Sequence, residues 1–281
     1  MKIFLTTLLL ATLSFYSFAQ KPDSVLIRVS YTYTSKKDTL TNGQSRIENM
    51  VLFVGRNASL YTSYDKIRHE ISEDQKFRAM IMSQANNGKP KAYAVNNAAT
   101  QWMSKTSYLH FIKENKFFGK EFISLQTYVY EDKVPEINWK ISKDTSSFSG
   151  TACQKATATY EGKNWIAWFA PSLPFQSGPW KLGGLPGLII EAYDDNKTVH
   201  FQFAGIDNAK AKEFIRPGTK EQGGDILPID QILGLDITGA YFDNIISLPR
   251  NSVKTTKAQL DKLKTAFEKD PKGFVKSQAG Y

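Results

Sequence analysis

Short segments that alternate apolar and polar residues recur along this chain, and they constrain its fold more than any other feature. From Ser24 to Thr34 the odd-numbered positions are Val, Ile, Val, Tyr and Tyr, and all but one of the positions between them are polar. Because successive side chains of a strand point to opposite faces, this pattern predicts a half-buried β-strand. Further segments of this kind flank short turns at 55–57, 161–163 and 194–197, which predicts three hairpins.

Helical signals are few. Ser72-x-x-Gln75 is a capping-box pattern that predicts a helix through Asn86, and Thr256-x-x-Gln259 predicts a second helix that ends near residues 270–271. Residues 121–130 have the composition of a single extended segment. The fold class that follows is mainly β (α+β): a large curved antiparallel sheet or half-open barrel with one or two helices packed on it.

The first residues have the pattern of a secretory signal peptide. Lys2 precedes an apolar stretch from Ile3 to Leu13, and Ser17-Phe18-Ala19 forms a small-x-small cleavage site. Removal of residues 1–19 takes away one lysine and lowers the formal net charge from +9 to +8. We therefore expect a periplasmic or extracellular protein that is soluble after signal removal.

The expected domain organisation has three parts. Residues 1–19 form the signal peptide, and residues 20–206 form one antiparallel β domain. Residues 207–281 form an irregular and helical C-terminal extension that packs on the same domain.

A glycine- and proline-rich hexapeptide, residues 184–189, interrupts the strand pattern with the sequence Gly-Leu-Pro-Gly-Leu-Ile. Glycine permits backbone dihedrals that side chains forbid, while Pro186 fixes its own φ and restricts Leu185. The apolar side chains of the motif favour burial. We expect a tight, rigid loop that leads into a buried strand.

This motif resembles the one that gives the GLPGLI family its name, a group of small secreted proteins of Bacteroidetes-type bacteria. The similarity extends upstream to the segment Gly-Thr-Ala-Cys-Gln-Lys-Ala at 150–156, and its specific part covers residues 150–193. The family has no established activity. The resemblance therefore implies an exported protein and implies no reaction.

Aromatic residues concentrate around the motif. Trp165 and Trp168 are three positions apart on one predicted strand, so they cannot both face the same side of a sheet. One interpretation is an apolar groove with an aromatic wall and a proline-glycine rim; the other is that the loop and the aromatic side chains close one end of the core. The candidate groove residues are Trp165, Trp168, Phe169, Phe175, Trp180, Gly184, Leu185, Pro186, Gly187, Leu188, Ile189 and Glu191.

The sequence predicts no catalytic, cofactor-binding or metal site. The histidines, at positions 69, 110 and 200, have no metal-ligand spacing with one another or with Cys153, the single cysteine, whose strand context predicts a buried thiol. A cleft in which His200 and Glu191 face Ser172 or Ser177 would favour a hydrolase.

The preferred hypothesis is a non-catalytic exported binding or carrier protein for a lipid or another apolar ligand. The alternative is an interaction subunit that docks on an outer-membrane or surface protein through exposed aromatic side chains. A hydrolase is the third hypothesis. Nucleic acid is a poor partner for an exported protein, although the chain is basic.

Overall fold

The computed structural model describes residues 21–39, 44–87, 102–124, 126–209, 245–249, 251–271 and 273–274. The predicted signal peptide lies outside these residues, as does most of the segment between 207 and 250. The predicted division into three parts therefore stays a prediction. Within the described residues, neither helix combines the length and the apolar character needed to cross a membrane.

Strands dominate the described chain, and two helices accompany them. The elements are β1 (Asp23–Thr39), β2 (Ser45–Gly55), β3 (Ala58–Ser63), α1 (Tyr64–Asn87), β4 (Ser107–Phe111), β5 (Lys116–Ile123), β6 (Gln126–Asp132), β7 (Lys140–Phe148), β8 (Thr151–Tyr160), β9 (Lys163–Ala170), β10 (Leu188–Asp194), β11 (Val199–Asn208), β12 (Ile245–Ile246), β13 (Val253–Thr255) and α2 (Lys257–Lys269).

All thirteen strands belong to one sheet that does not close on itself. The strand order is β13-β6-β5-β4-β3-β2-β1-β11-β10-β9-β8-β7, and β12 pairs with the start of β1. Two meanders, β1 to β6 and β7 to β11, are joined where β11 pairs with β1. Every pairing is antiparallel except that of β13 with β6. The predicted fold class is confirmed, with this parallel pair making the sheet mixed.

The three predicted hairpins are confirmed as β2–β3, β8–β9 and β10–β11. The turn between β8 and β9 places Glu161 and Gly162 at φ values of 47° and 72°. Two consecutive residues with positive φ give the turn the twist of the flanking strands.

Two local predictions are wrong. Residues 121–130 form the end of β5, a turn in which Ser124 has a φ of 47°, and the start of β6, instead of one extended segment. Helix α1 begins at Tyr64, eight residues before the predicted Ser72, because Ser63 accepts a hydrogen bond from the amide of Lys66 and so caps the helix earlier.

Helix α2 begins as predicted. Thr256 and Gln259 form a reciprocal capping box, and the helix ends before Asp270. Leu260 is fully buried and packs with Tyr128 and Tyr130 of β6. The helix is thereby attached to the same sheet as the rest of the described chain.

The segment between β9 and β10, residues 171–187, packs on the main core and contains most of the glycine-proline motif. Leu182 and Leu185 are almost completely buried there, together with Leu188 and Ile189 at the start of β10. Its backbone carbonyls form hydrogen bonds outside any strand ladder. The amides of Leu188 and Ile189 donate to the carbonyls of residues 173 and 177, at 2.9 and 3.0 Å. Buried apolar side chains and satisfied amides make this segment part of the core.

Two long-range hydrogen bonds attach this segment and the start of β10 to other elements. The buried hydroxyl of Tyr31, on β1, donates to the carbonyl of Ile189 at 2.6 Å, next to a bulge in β10. The indole of Trp139, just before β7, donates to the carbonyl of Gly183 at 2.8 Å. A bulge leaves ladder groups unpaired, so the Tyr31 bond supplies a partner that the neighbouring strand does not.

Lys181 shows that the sheet is strongly curved. Its ammonium lies 3.2 Å from a carboxylate oxygen of Asp132, at the end of β6, and 3.2 Å from one of Glu161, in the β8–β9 turn. In a flat sheet β6 and β8 would lie several tens of Å apart, since neighbouring strands are separated by about 4.8 Å. Burial alone lowers the pKa of Lys181, but the two carboxylates outweigh it and raise that pKa above its ordinary value.

We predict that Gly187→Ala destabilises the protein by about 1–3 kcal/mol. A methyl group at Gly187 would collide with the backbone carbonyl of Ala170, which cannot move without breaking the end of β9. The measurement is urea unfolding followed by tryptophan fluorescence. The matched control is Gly205→Ala in β11, where a methyl group meets no atom within 4 Å. Equal stability of the two variants would contradict the described packing.

Candidate functional site

A cavity of about 440 Å³ lies between the sheet and the β9–β10 segment. The residues that line it come from β1, β2, β3, β4, β9 and β11, from the segment just before β4, and from the β9–β10 segment. They are Tyr33, Arg46, Met50, Tyr61, Met103, Ser104, Lys105, Thr106, Tyr108, Lys163, Trp165, Trp180, Val199 and Phe201. The curvature of the sheet brings these distant elements around one space.

Aromatic rings form most of the apolar wall. Phe201 is at its centre, with ring centroids 5.3 Å from Tyr33, 6.2 Å from Tyr61 and 6.0 Å from Trp165. The Trp180 ring lies 5.8 Å from that of Trp165. These separations are typical of favourable aromatic pairs, so the wall is fixed by ring packing before any ligand enters.

A buried carboxylate organises the polar side of the cavity. Glu48 is fully buried, and its oxygens accept hydrogen bonds from the Ser104 amide at 2.8 Å, from the Ser104 hydroxyl at 2.8 Å and from Arg46 at 2.5 Å. The Arg46 guanidinium also lies over the Tyr33 ring, 5.2 Å from its centroid. Both oxygens of Glu48 are thus occupied, which suits a positioning group and not a proton acceptor.

A second ion pair, between Lys163 and Asp194, joins β9 to β10 beside the cavity. Lys163 donates to Asp194 at 2.9 Å and to the Thr198 hydroxyl at 3.1 Å. Asp194 also accepts hydrogen bonds from the Thr198 hydroxyl and from the amides of Thr198 and Val199, the latter two at 2.6 and 2.9 Å. Burial opposes ionisation of Asp194, but these hydrogen bonds and Lys163 lower its pKa to about 2.

The structure separates the predicted groove residues into four groups: cavity-lining, core, exposed and opposite-face residues. Trp165 and Trp180 line the cavity. The core holds Phe169, Leu185, Gly187, Leu188 and Ile189, with Phe175 half-buried against it, while Gly184 and Pro186 are exposed. Gly184 has a φ of 82°, so the exposed position still requires glycine.

The fourth group, Trp168 and Glu191, lies on the opposite face of the sheet. The two residues are cross-strand neighbours, and Glu191 lies 3.0 Å from the His200 imidazole. Among the described residues no hydrogen bond connects Ser172 or Ser177 to this pair, and the Ser177 hydroxyl is buried without a partner.

The sequence reasoning missed the residues of the polar side, above all Glu48. A usable signal was present: Glu48 occupies the same strand face as Met50, Leu52 and Val54, and a carboxylate on an apolar face must be paired or functional. Ser104 and Tyr61 gave no such signal, because only the curvature of the sheet brings them to the cavity.

The donor set of the described chain does not favour a metal. No group of three or more His, Cys, Asp or Glu side chains in it could hold an ion. The described residues that line the cavity include three cations and no carboxylate or histidine. Their chemistry suits binding through ring contacts and donated hydrogen bonds.

The geometry defines a class of protein: an open, mainly antiparallel sheet with a preformed aromatic pocket. No family profile matches the sequence, and no curated protein matches it either. Two solved structures of PNGF-II, from crystals in space groups P21 and C2, each superpose with a TM-score of 0.49, at 12% and 11% identity. Each superposition covers 85% of this chain and 33% or 32% of the PNGF-II chain, so the present chain spans about a third of their length.

We predict that Asp194→Asn lowers the free energy of unfolding at pH 7 by about 2 kcal/mol, and that the difference from the wild type disappears near pH 2. The pKa of Asp194 is lower in the folded state than the ordinary value of 3.8, so its stabilisation is complete well above pH 4 and is lost as the pH falls towards 2. Urea unfolding at several pH values measures this. Asp195→Asn, at the exposed neighbouring position, is the control; an equal loss there would refute the assignment.

We also predict that Cys153 reacts with a thiol reagent such as DTNB at pH 8 about 100-fold more slowly in the folded protein than in urea. The side chain is buried, as expected, and burial together with the charge of Glu191 raises the pKa of the thiol to about 11. Labelling of the folded protein at the unfolded rate would show that the thiol is accessible and ionised.

Proposed function

We propose that this protein is an exported, non-catalytic binding or carrier protein of the GLPGLI family, and that it holds a small, largely apolar ligand in the aromatic cavity. The observation that carries the proposal is the cavity itself. Its volume of about 440 Å³ lies within the usual range for small-molecule sites, roughly 300–1,000 Å³.

Two further observations support this function. The packed rings and the Glu48 network hold the wall in place without a ligand, and a preformed site avoids the cost of ordering side chains on binding. The described residues that line the cavity also include no carboxylate or histidine for acid–base chemistry, and the nearby Glu48 already has both oxygens in hydrogen bonds. Export rests on the signal-peptide pattern of residues 1–19.

The second candidate is docking on an envelope protein through the opposite face. Trp168 and Phe148 pair there with ring centroids 5.9 Å apart, beside β7 at one end of the strand order. Both rings are half-buried and so remain partly accessible. Partly accessible aromatic rings next to a sheet edge form a surface that another protein can cover.

The experiment that separates the two functions is native mass spectrometry of the full mature protein purified from the periplasm of a related host. We expect a co-purifying apolar mass in the wild type. Trp180→Ala opens the cavity wall, so we expect the mass to be lost in that variant.

Trp168→Ala is the matched control, since it also removes a half-buried indole but from the face opposite the cavity. Retention of the mass in this variant, with similar melting temperatures of the two variants, supports the cavity as the binding site. Loss of the mass only in Trp168→Ala would assign binding to the docking face. A ligand-free wild type that also binds no hydrophobic fluorescent probe would refute the carrier function.

A further inference from the structure

The Tyr61 side chain has an unmet hydrogen-bonding group at the wall of the cavity. Tyr61 is 4% exposed, and its hydroxyl has no partner among the described residues. A buried hydroxyl without a partner costs free energy, so native structures rarely keep one without a reason. Because the side chain belongs to the cavity wall, a ligand in the cavity can supply the missing partner.

The hydroxyl is available as a donor. Burial raises the pKa of Tyr61 well above its ordinary value, and the nearby charge of Glu48 raises it further. The group therefore stays protonated at any physiological pH, and it can donate one hydrogen bond to an acceptor.

The charges around the cavity are balanced. Arg46 pairs with Glu48 at 2.5 Å and Lys163 pairs with Asp194 at 2.9 Å, each with its carboxylate outside the lining. Lys105 lies 3.6 Å from Glu268 at an exposed position, where an ion pair contributes little. A ligand with a full charge would meet no unbalanced counter-charge at the aromatic wall, so a neutral ligand suits the site better.

We propose, building on the carrier function above, that the cavity selects a neutral, flat-ringed ligand that carries a hydrogen-bond acceptor such as a carbonyl, with its rings against Tyr33 and Trp180 and its acceptor bonded to the Tyr61 hydroxyl. Tyr33 and Trp180 are half-buried lining residues, and the almost completely buried rings of Phe201 and Trp165 pack against them. Flat rings pack favourably on such aromatic faces. Among the described residues that line the cavity, Tyr61 has the one buried hydroxyl without a partner, and the ligand acceptor supplies it.

The test uses three environment-sensitive probes with fused rings. PRODAN is neutral and carries a carbonyl acceptor, N-phenyl-1-naphthylamine is neutral and has no carbonyl, and anilinonaphthalene sulfonate carries a full negative charge. We expect the mature protein to bind PRODAN most tightly of the three. Tyr61→Phe should weaken PRODAN binding about fivefold, the equivalent of one neutral hydrogen bond, and leave N-phenyl-1-naphthylamine binding unchanged.

The melting temperature of the ligand-free Tyr61→Phe variant provides a second readout. It should be equal to or above that of the wild type, because the substitution removes an unsatisfied hydroxyl and keeps the ring. Tyr128→Phe is the control, since Tyr128 is equally buried at 4% exposed but lies on β6 outside the cavity. It should leave the affinities for all three probes unchanged.

The outcomes distinguish this inference from the proposed function. Failure of all three probes to bind a wild type that is also ligand-free by native mass spectrometry would overturn the carrier function itself. Binding of the neutral probes with no effect of Tyr61→Phe would be consistent with the carrier function but would overturn the hydrogen bond assigned between the Tyr61 hydroxyl and the ligand. Tightest binding by the sulfonate probe would overturn the preference for a neutral ligand.

Discussion

The segment between β9 and β10 buries Leu182 and Leu185 while its backbone lies outside any regular strand ladder. The rest of the structure depends on the hydrogen bonds that satisfy this buried backbone. Irregular backbone can be buried only if its polar groups find partners. Here the amide of Leu188 bonds to the carbonyl of Leu173, and Tyr31 and Trp139 reach in from β1 and from the segment before β7. The motif is thus a structural device: its glycines permit the close approach, and its leucines fill the core.

That device also shapes the cavity. Lys181 joins the segment to β6 and to the β8–β9 turn at once, which keeps opposite ends of the strand order close together. Trp180, the adjacent residue, becomes a wall of the cavity, and its indole hydrogen-bonds the Tyr108 hydroxyl of β4. The same segment thus contacts both ends of the strand order and contributes a ring to the cavity, while its Leu185 is buried in the core.

Much of the fold could be predicted from local pattern, and most of the site could not. Hairpins with a glycine turn, such as Glu161-Gly162, and the Thr256 capping box are determined by residues close in sequence, so they were predictable. The turn at Ser124 was missed because it contains no glycine or proline, and the start of α1 was misplaced because two serines compete as caps. The cavity depends on the register of strands far apart in sequence, and periodicity gives no information on it. Of the residues on the polar side, only Glu48 could have been recognised from its local sequence, because it is a carboxylate on an apolar strand face.

Hydrogen exchange followed by mass spectrometry, on the mature protein with and without PRODAN, tests most directly whether the motif segment is a rigid wall of a binding cavity. We predict that the amides of Leu188 and Ile189 exchange as slowly as those of the core strands, and that the probe further slows exchange in residues 176–184 and 102–106 together. Exchange of Leu188 and Ile189 as fast as that of the exposed 195–197 turn, with no effect of the probe, would contradict this account.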